Sequence, residues 1–503
     1  MKLSHILQDI RIKNYDTSLD ETEISDIKIS DKDVCKGDLF IALEGKNFDG
    51  NNFINNALDK GASVIFSQHP SDDKRVVVVE DARSAYALAC KNFFGRCCDK
   101  LKIVGITGTN GKTTTASTTY ELLRYSGVKA GLIGTMGAKI DDKVMDTGLT
   151  TPDPYMLHKL FKEMKENGCE CVVMEASAHA LALNKLDGIN FDLGVLTNIT
   201  EDHLDFFGNM ENYANAKLKL FDKNRVKLGI ICGDDHIGRG LLLRPKVPVI
   251  SYGLSDFCDV NAKNIQKSFS GSTFGCECLR EKFKIKSNLI GEYNIQNALA
   301  SIAICRSLGE PKELISLGMS CINPVEGRFN VIKMGDNNIV IDYAHTPDGL
   351  EKILKTAKEL SSNKLVAIFG CGGNRDRQKR SIMGTIASRL ADEVILTSDN
   401  PRYEDPYAII GDIVEGVVKN CKVIENRKEA IRYALEKFNH NETIVIAGKG
   451  GEKYQEIKGE KYPYNDFDVV YEYYREKMCL IDNENKQESP SQLANCLDEE
   501  ERE

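Results

Sequence analysis

Residues 105–115 read GITGTNGKTTT and follow the apolar run 101–104, LKIV. A short apolar strand that empties into a glycine-rich turn, then Gly-Lys-Thr, then a helix, is an arrangement that binds phosphate. The glycines let backbone N–H groups approach phosphate oxygens, and a helix opening near Thr113 adds the positive end of its dipole. Lys112 can reach terminal phosphates, and the Thr113 hydroxyl can be offered to Mg²⁺. The candidate phosphate-binding residues are Gly108, Thr109, Asn110, Gly111, Lys112, Thr113 and Thr114. The spacing departs from the strict P-loop, because Ile106 stands where that pattern has its first glycine. A strand-to-helix turn with incidental glycines is the competing reading. Strand, Gly-Lys-Thr and helix in succession argue against it.

The rest of the chain bounds the function. Its 503 residues suggest several domains with ample cores. A hydrophobic fraction of 42%, a charged fraction of 28% and a net charge of −9 describe an ordinary globular protein and not a nucleic-acid binder. No apolar run approaches membrane-span length, so no membrane insertion is expected. The opening stretch MKLSHILQDIRIKNYD carries Asp9 and Arg11 where a signal peptide needs unbroken apolar sequence, which predicts a cytoplasmic location. The 16 cysteines show no metal-ligand spacing: Cys97-Cys98, Cys169-x-Cys171 and Cys276-x-Cys278 are too tight for zinc pairs. They read as reduced, structural thiols.

Three regions follow, and all read as α/β. Residues 1–99 hold short apolar strands within 38–44, 62–67 and 75–80, then a helix over 82–94. Residues 100–332 begin with the phosphate loop and continue with strand-like runs at 170–175 and 191–198, which predicts a parallel sheet covered by helices. Residues 333–474 repeat one pattern: 365–370 (LVAIFG) runs into CGGNRDRQKR, 393–398 (EVILTS) into DNPRYED, and 443–448 (TIVIAG) into KGGEKYQ. Ligands bind at the carboxyl ends of strands in open parallel sheets, so these loops are expected to share one site. Residues 475–503 read as an acidic, disordered tail.

A nucleotide site needs further groups for its cation. Glu175 closes the strand ECVVME and precedes Ala-Ser-Ala-His179, and a carboxylate beside a phosphate loop suits a hard cation. His203 and Asp205 fall in a loop after an apolar strand, and Lys217 lies on the following helix. Taken alone, Lys217 reads as a solvated surface residue.

In order along residues 25–470, these pieces resemble the Mur ligases, the ATP-dependent amide-forming enzymes of peptidoglycan synthesis. The matching stretches are GTNGKTT, TTPD at 150–153, MEASAH at 174–179, TNITEDHLD, GEYNIQNALA at 291–300, EGRF at 326–329 and DYAHTPD at 342–348. SDNPRYEDP at 398–406 resembles the branch that adds meso-2,6-diaminopimelate to UDP-N-acetylmuramoyl-L-alanyl-D-glutamate. An Arg guanidinium can pair bidentately with a carboxylate, and diaminopimelate carries a distal carboxylate that lysine lacks.

The resemblance implies a three-domain fold: a UDP-sugar-binding first domain, a central ATPase domain with a P-loop-type parallel sheet, and a Rossmann-like amino-acid-binding third domain. It also implies ATP and Mg²⁺ as cofactors, UDP-N-acetylmuramoyl dipeptide and meso-diaminopimelate as substrates, and a monomer. Asn294, Arg328 and Asp342 match positions around ATP, while Thr150, Thr151, Ser177 and Lys185 match positions on the UDP-sugar peptide. Arg375, Asp399, Asn400, Pro401, Arg402, Gly448 and Glu452 match the diaminopimelate site. Lys112, Glu175, His203 and Lys217 match the catalytic set. Thr113, Glu175, His203 and Lys217, the last as a carbamate, match the metal ligands. The chain departs from the pattern at Ala178, at Lys185 in place of Arg, at Ser30-Asp31-Lys32 in place of Asp-Ser-Arg, at Glu326 in place of Pro, and at Gly451 in place of His. Two other readings stay open on sequence: a ligase with another amino acid or acceptor, and a catalytically weak nucleotide-binding scaffold.

Overall fold

The computed structural model describes residues 1–45, 48–438 and 440–478. The expected tail lies outside the described residues from 479 onward, and a helix occupies 466–478.

Three sheets follow one another along the chain. The first has the order Ile12–Asn14, Val76–Val79, Val64–Ser67, Leu39–Ile41, Ile27–Lys28, parallel apart from its first strand. Its three inner strands are short, fully buried and mostly apolar runs because both faces are covered, whereas the edge strands carry Lys13, Asn14 and Lys28. The helix Ala82–Phe93 packs on it, capped by Asp81, whose carboxylate accepts from the N–H groups of Arg83 and Ser84.

The central sheet has eleven strands. At its heart Lys102–Thr107, Cys171–Glu175 and Ala130–Gly134 run parallel, with Phe191–Leu196, Val226–Cys232 and Val249–Gly253 continuing on the other side. The parallel-sheet expectation holds for this heart and not for the flanks. Val260–Ser268, Gly271–Cys278 and Glu281–Ser287 extend one side; the first pairs parallel with Val249–Gly253 and the three then form an antiparallel meander. Gly137–Ile140 and Lys143–Met145 add antiparallel strands on the other side.

The third sheet runs Asn330–Met334, Asn337–Asp342, Thr443–Ala447, Leu365–Phe369, Glu393–Leu396, Lys422–Val423, and only its first pair is antiparallel. Its opening strand straddles the expected boundary at 332/333. A small hairpin, Tyr454–Ile457 with Glu460–Pro463, stands apart from the sheet. The carboxyl ends of the central and third sheets meet across one cleft, where Asn110 of the phosphate loop donates to Asp348 of the third domain at 2.8 Å.

Candidate active site

The cleft is about 450 Å³ and is lined from both sheets. On the central side the strand Lys102–Thr107 ends in the phosphate loop, and the helix Lys112–Tyr125 opens at Lys112, one residue before the expected Thr113. Two glycines are dictated by space and backbone. Gly108 has φ +146° and a Cβ there would lie 1.8 Å from Thr197 Oγ1; Gly111 has φ +86° and a Cβ would lie 2.3 Å from Asn297 Oδ1. The loop is tied down around them. Thr109 Oγ1 bonds Tyr213 OH at 3.1 Å, the Asn110 N–H donates to Asn198 Oδ1 at 3.0 Å, and Thr197 Oγ1 donates to the Asn110 carbonyl at 2.6 Å. Thr114 is buried under the loop and also lines the cleft.

Glu175 stands at the end of its strand, only 1% exposed. Its Oε1 accepts from the Thr135 N–H at 2.8 Å, and its Oε2 accepts from Thr113 Oγ1 at 3.2 Å and Thr135 Oγ1 at 3.3 Å. Thr135 was not singled out in the sequence; its signal is a polar residue just after the apolar strand Ala130–Gly134. A carboxylate and a hydroxyl brought this close, beside Lys112, form an oxygen-rich set suited to a hard divalent cation.

His203 sits in the left-handed region at φ +55°, a strained geometry that surrounding packing must hold. Its ring lies 4.9 Å from that of His179 and its Nε2 is 3.3 Å from Asp202 Oδ2. Burial lowers its pKa, against the pull of Asp202, which favours the neutral imidazole that ligates metals.

Lys217 is not a surface lysine. It is 2% exposed, its Nζ donates to the Gly108 carbonyl at 2.7 Å, and it lies 4.4 Å from the centre of the Tyr213 ring. The solvated reading of this residue is therefore corrected: the helix Met210–Leu218 turns that face inward under the phosphate loop. Burial, then the nearby Lys112 charge, holds its ammonium well below the usual lysine range. Lys112 donates to the carbonyls of Gly108 and Thr109, both at 2.9 Å, and burial lowers its pKa as well, opposed by Glu175.

Asn294 is 2% exposed and lines the cleft, with its Nδ2 on the Ile290 carbonyl. Arg328 reaches Thr113 Oγ1 at 3.5 Å and lies over the Tyr343 ring. Asp342 accepts from the N–H groups of Phe329 and Ala344, both at 2.7 Å, and burial raises its pKa to about 6 despite Arg328.

The third sheet supplies the opposite wall, with Arg375, Asp399, Asn400, Arg402, Gly448 and Glu452 on the same cleft. Arg375 is exposed and makes no hydrogen bond among the described residues. Arg402, at φ +52°, places Nε 3.1 Å from Glu456 Oε2 and donates Nη1 to the Gly373 carbonyl at 2.8 Å; its Nη2 makes no hydrogen bond among the described residues. Pro401 is buried beside it, and its carbonyl would lie 2.0 Å from a Cβ at Gly373. Gly448 has φ +116°, and a Cβ there would lie 2.6 Å from Asp399 Oδ2. Glu452 accepts from Asn400 Nδ2 and from Lys449 Nζ, both at 3.0 Å. Lys449 and Glu456 contact these residues and were not singled out in the sequence. Two departures from the expected motif meet here: a Cβ at Gly451 would lie 3.2 Å from the Glu326 carbonyl oxygen.

The expected UDP-sugar residues are not gathered in the cleft as a set. Thr150 lines it, with its hydroxyl 3.1 Å from that of Thr135. Thr151 is buried and its hydroxyl is used twice, donating to the Glu175 carbonyl at 2.7 Å and accepting from the Ser177 N–H at 3.0 Å. Ser177 caps the helix Ala178–Ala182 through the Ala180 N–H. Lys185 is half-buried near Asp153 and Arg83, where the first and central domains meet, and burial lowers its pKa.

A phosphate-binding loop and a cation-suited carboxylate face a wall of guanidinium, amide and carboxylate groups, which defines a nucleotide-using α/β protein of three sheets. Residues 23–90 match the Mur ligase family catalytic domain, 106–305 the Mur ligase middle domain, and 327–450 the Mur ligase glutamate ligase domain. The UDP-N-acetylmuramoyl-L-alanyl-D-glutamate–2,6-diaminopimelate ligase of Clostridium tetani is 39% identical, over 94% of this chain and 99% of its own. That of Aquifex aeolicus is 41% identical, over 89% of this chain and 93% of its own. The chain belongs to the Mur ligase family. A solved structure of a ligase of the same name is 30% identical, with a TM-score of 0.70 over 95% of this chain and 99% of that one. A MurF ligase from Thermotoga maritima in complex with ADP shares the fold, with a TM-score of 0.61 at 21% identity over 85% of this chain and 94% of that one. Among the described residues no helix is long and apolar enough to cross a membrane.

Proposed function

We propose that this chain is an ATP-dependent ligase that joins meso-2,6-diaminopimelate to UDP-N-acetylmuramoyl-L-alanyl-D-glutamate through an acyl phosphate. The observation that carries the reading is the placement of Lys112, Thr113 and Glu175 opposite Arg402, Asn400 and Glu452 in one cleft. One wall suits a triphosphate, and the other suits an amino acid with a carboxylate and an ammonium at its far end.

In this reading the acceptor's carboxylate attacks the γ-phosphorus of ATP and ADP leaves. The amine of diaminopimelate then attacks the acyl carbon, a tetrahedral intermediate forms, and phosphate departs. The protein's work is positioning and charge neutralisation. Lys112 and the N–H groups of residues 111–113 hold the phosphates, and Arg328 stands where negative charge gathers. Asn294 and Asp342 border the nucleotide. Asp342 holds the turn at Phe329 and Ala344, which keeps Arg328 in place.

Thr113, Glu175, His203 and a carbamylated Lys217 would hold Mg²⁺, which supplies charge neutralisation on the transferring phosphoryl group. Thr113 and Glu175 meet at 3.2 Å as an oxygen pair that suits this cation, and the Lys217 carbamate would form when its neutral amine attacks CO₂ and loses a proton. Arg402, through its unclaimed Nη2, and Arg375 would hold the distal carboxylate, with Glu452 taking the ammonium. Thr150, Ser177 and Lys185 border the path of the UDP-sugar peptide.

The test is isotopic. With ¹⁸O in the acceptor's γ-carboxylate, one labelled oxygen should appear in the released phosphate, and release should need ATP, acceptor and amino acid together. Product formed with unlabelled phosphate would overturn the acyl-phosphate route.

A further inference from the structure

Lys449 is a lysine with no exposed surface, in the wall that faces the amino acid. Its ammonium donates to Asn400 Oδ1 at 2.8 Å and to Glu452 Oε2 at 3.0 Å, with the Tyr454 ring centre 5.9 Å away. A charge withdrawn from water this completely persists only where its partners are fixed, and here both partners belong to the proposed diaminopimelate site.

The consequences run outward through single atoms. Asn400 Oδ1 accepts from Lys449 Nζ and also from the Glu456 N–H at 2.9 Å. That fixes which way the amide faces, so Nδ2 is the atom that donates to Glu452 Oε2. Glu452 thus has Oε2 claimed by two donors, and its Oε1 has no hydrogen-bond partner among the described residues. The same contact to the Glu456 N–H pins the strand Tyr454–Ile457, whose Glu456 side chain holds Arg402 Nε at 3.1 Å and whose Glu456 carbonyl accepts from the Arg402 N–H at 3.1 Å. One buried ammonium therefore sets both an anion, Glu452, and a cation, Arg402.

We infer that Lys449 is the positioning residue for zwitterion recognition in this cleft. It aims Glu452 and Arg402 as a matched pair at an ammonium and a carboxylate on one carbon. The inference rests on the ligase reading above and adds a specificity determinant to it. Without the Lys449 charge, the carboxylates of Asp399, Glu452 and Glu456 stand against Arg402 and Arg375 alone, and Glu452 loses the contact that orients it. The loss should fall on amino acids with a distal zwitterion and spare the nucleotide, whose contacts lie on the other wall.

The experiment is calorimetric binding of meso-diaminopimelate and of ADP to the full chain, with Lys449→Met, Lys449→Gln, Glu452→Gln and the Lys449→Met/Glu452→Gln double variant. Lys449→Met should weaken diaminopimelate binding by about 10- to 100-fold, the cost of breaking a buried charge-assisted contact, and leave ADP affinity unchanged. Lys449→Gln, which keeps one donor, should fall between; it carries the test if the Met variant does not fold. The double variant should bind no more weakly than the worse single variant, because the orientation of Glu452 is already lost with Lys449. Unchanged diaminopimelate affinity in a folded Lys449 variant, or equal loss of ADP affinity, overturns the inference and leaves the ligase reading standing. A parent chain that binds no diaminopimelate overturns both.

Discussion

Lys112 and Lys217 converge on one acceptor: their Nζ atoms donate to the Gly108 carbonyl oxygen at 2.9 and 2.7 Å. Two ammonium charges so close under a buried loop repel, and burial already disfavours each. Lys112 has Glu175 to keep its charge, whereas the electrostatic influence of Lys112 bears on Lys217 in the opposite sense. Burial and the Lys112 charge thus shift Lys217 toward the neutral amine, the form from which a carbamate is made, against the opposite pull of Asp202. With ¹³C-bicarbonate, a carbamate carbon signal is expected in the intact chain and lost in Lys217→Ala, with turnover down at least about 100-fold. The same signal in the variant would place the carbamate elsewhere.

Arg402 offers one unclaimed guanidinium nitrogen to the cleft, and its other contacts are spent on Glu456 and Gly373. A lysine cannot reproduce that fork. Arg402→Lys should lower kcat/KM for diaminopimelate by about 10- to 100-fold, the worth of a charge-assisted contact from Nη2. The KM for ATP should hold, and a parallel rise in both KM values would assign Arg402 to the fold and not to the substrate.

Much of this was legible in the sequence, and the reasons for the rest are physical. Continuous apolar runs such as Cys171–Glu175 and Leu365–Phe369 announce strands buried on both faces, and the loops after them hold the chemistry. The meander was harder to see. In Gly271–Cys278 the buried Phe274, Cys276 and Cys278 do alternate with half-buried Thr273, Gly275 and Glu277, but small residues mute the period. The burial of Lys217 and Lys449 has no local signal, since it depends on partners such as Gly108 and Asn400 that are distant in sequence. The His203 and Arg402 left-handed conformations are likewise imposed by packing.

Asp342 gives a pH signature. Burial raises its folded pKa to about 6, above the ordinary aspartate value, so the folded state holds a proton that the unfolded state has released between about pH 4 and 6. Its contribution to stability is greatest below the unfolded pKa and is lost as pH rises through about 6. The gap in Tm between the parent chain and Asp342→Asn should widen in the parent's favour as pH falls from 7 to about 4.5. A gap that narrows over that range would contradict the assignment.

Arg427 and Asp466 form a fully buried bidentate pair, with Nε and Nη2 each 2.8 Å from a carboxylate oxygen, and Nη2 also reaches the Ala447 carbonyl at the mouth of the cleft loop. Asp466→Asn should cost about 3–5 kcal/mol in the third domain, because a buried guanidinium loses its counter-charge. Denaturant unfolding followed by circular dichroism reads this as an earlier transition; an unmoved midpoint would show the pair to be energetically neutral.

The most direct measurement is phosphate release with ATP, Mg²⁺ and UDP-N-acetylmuramoyl-L-alanyl-D-glutamate, comparing meso-diaminopimelate with L-lysine. Turnover that requires the acceptor and strongly prefers diaminopimelate is the predicted result. Turnover that prefers lysine would contradict the role given to Arg402, and acceptor-dependent turnover with neither would contradict the ligase reading of the cleft.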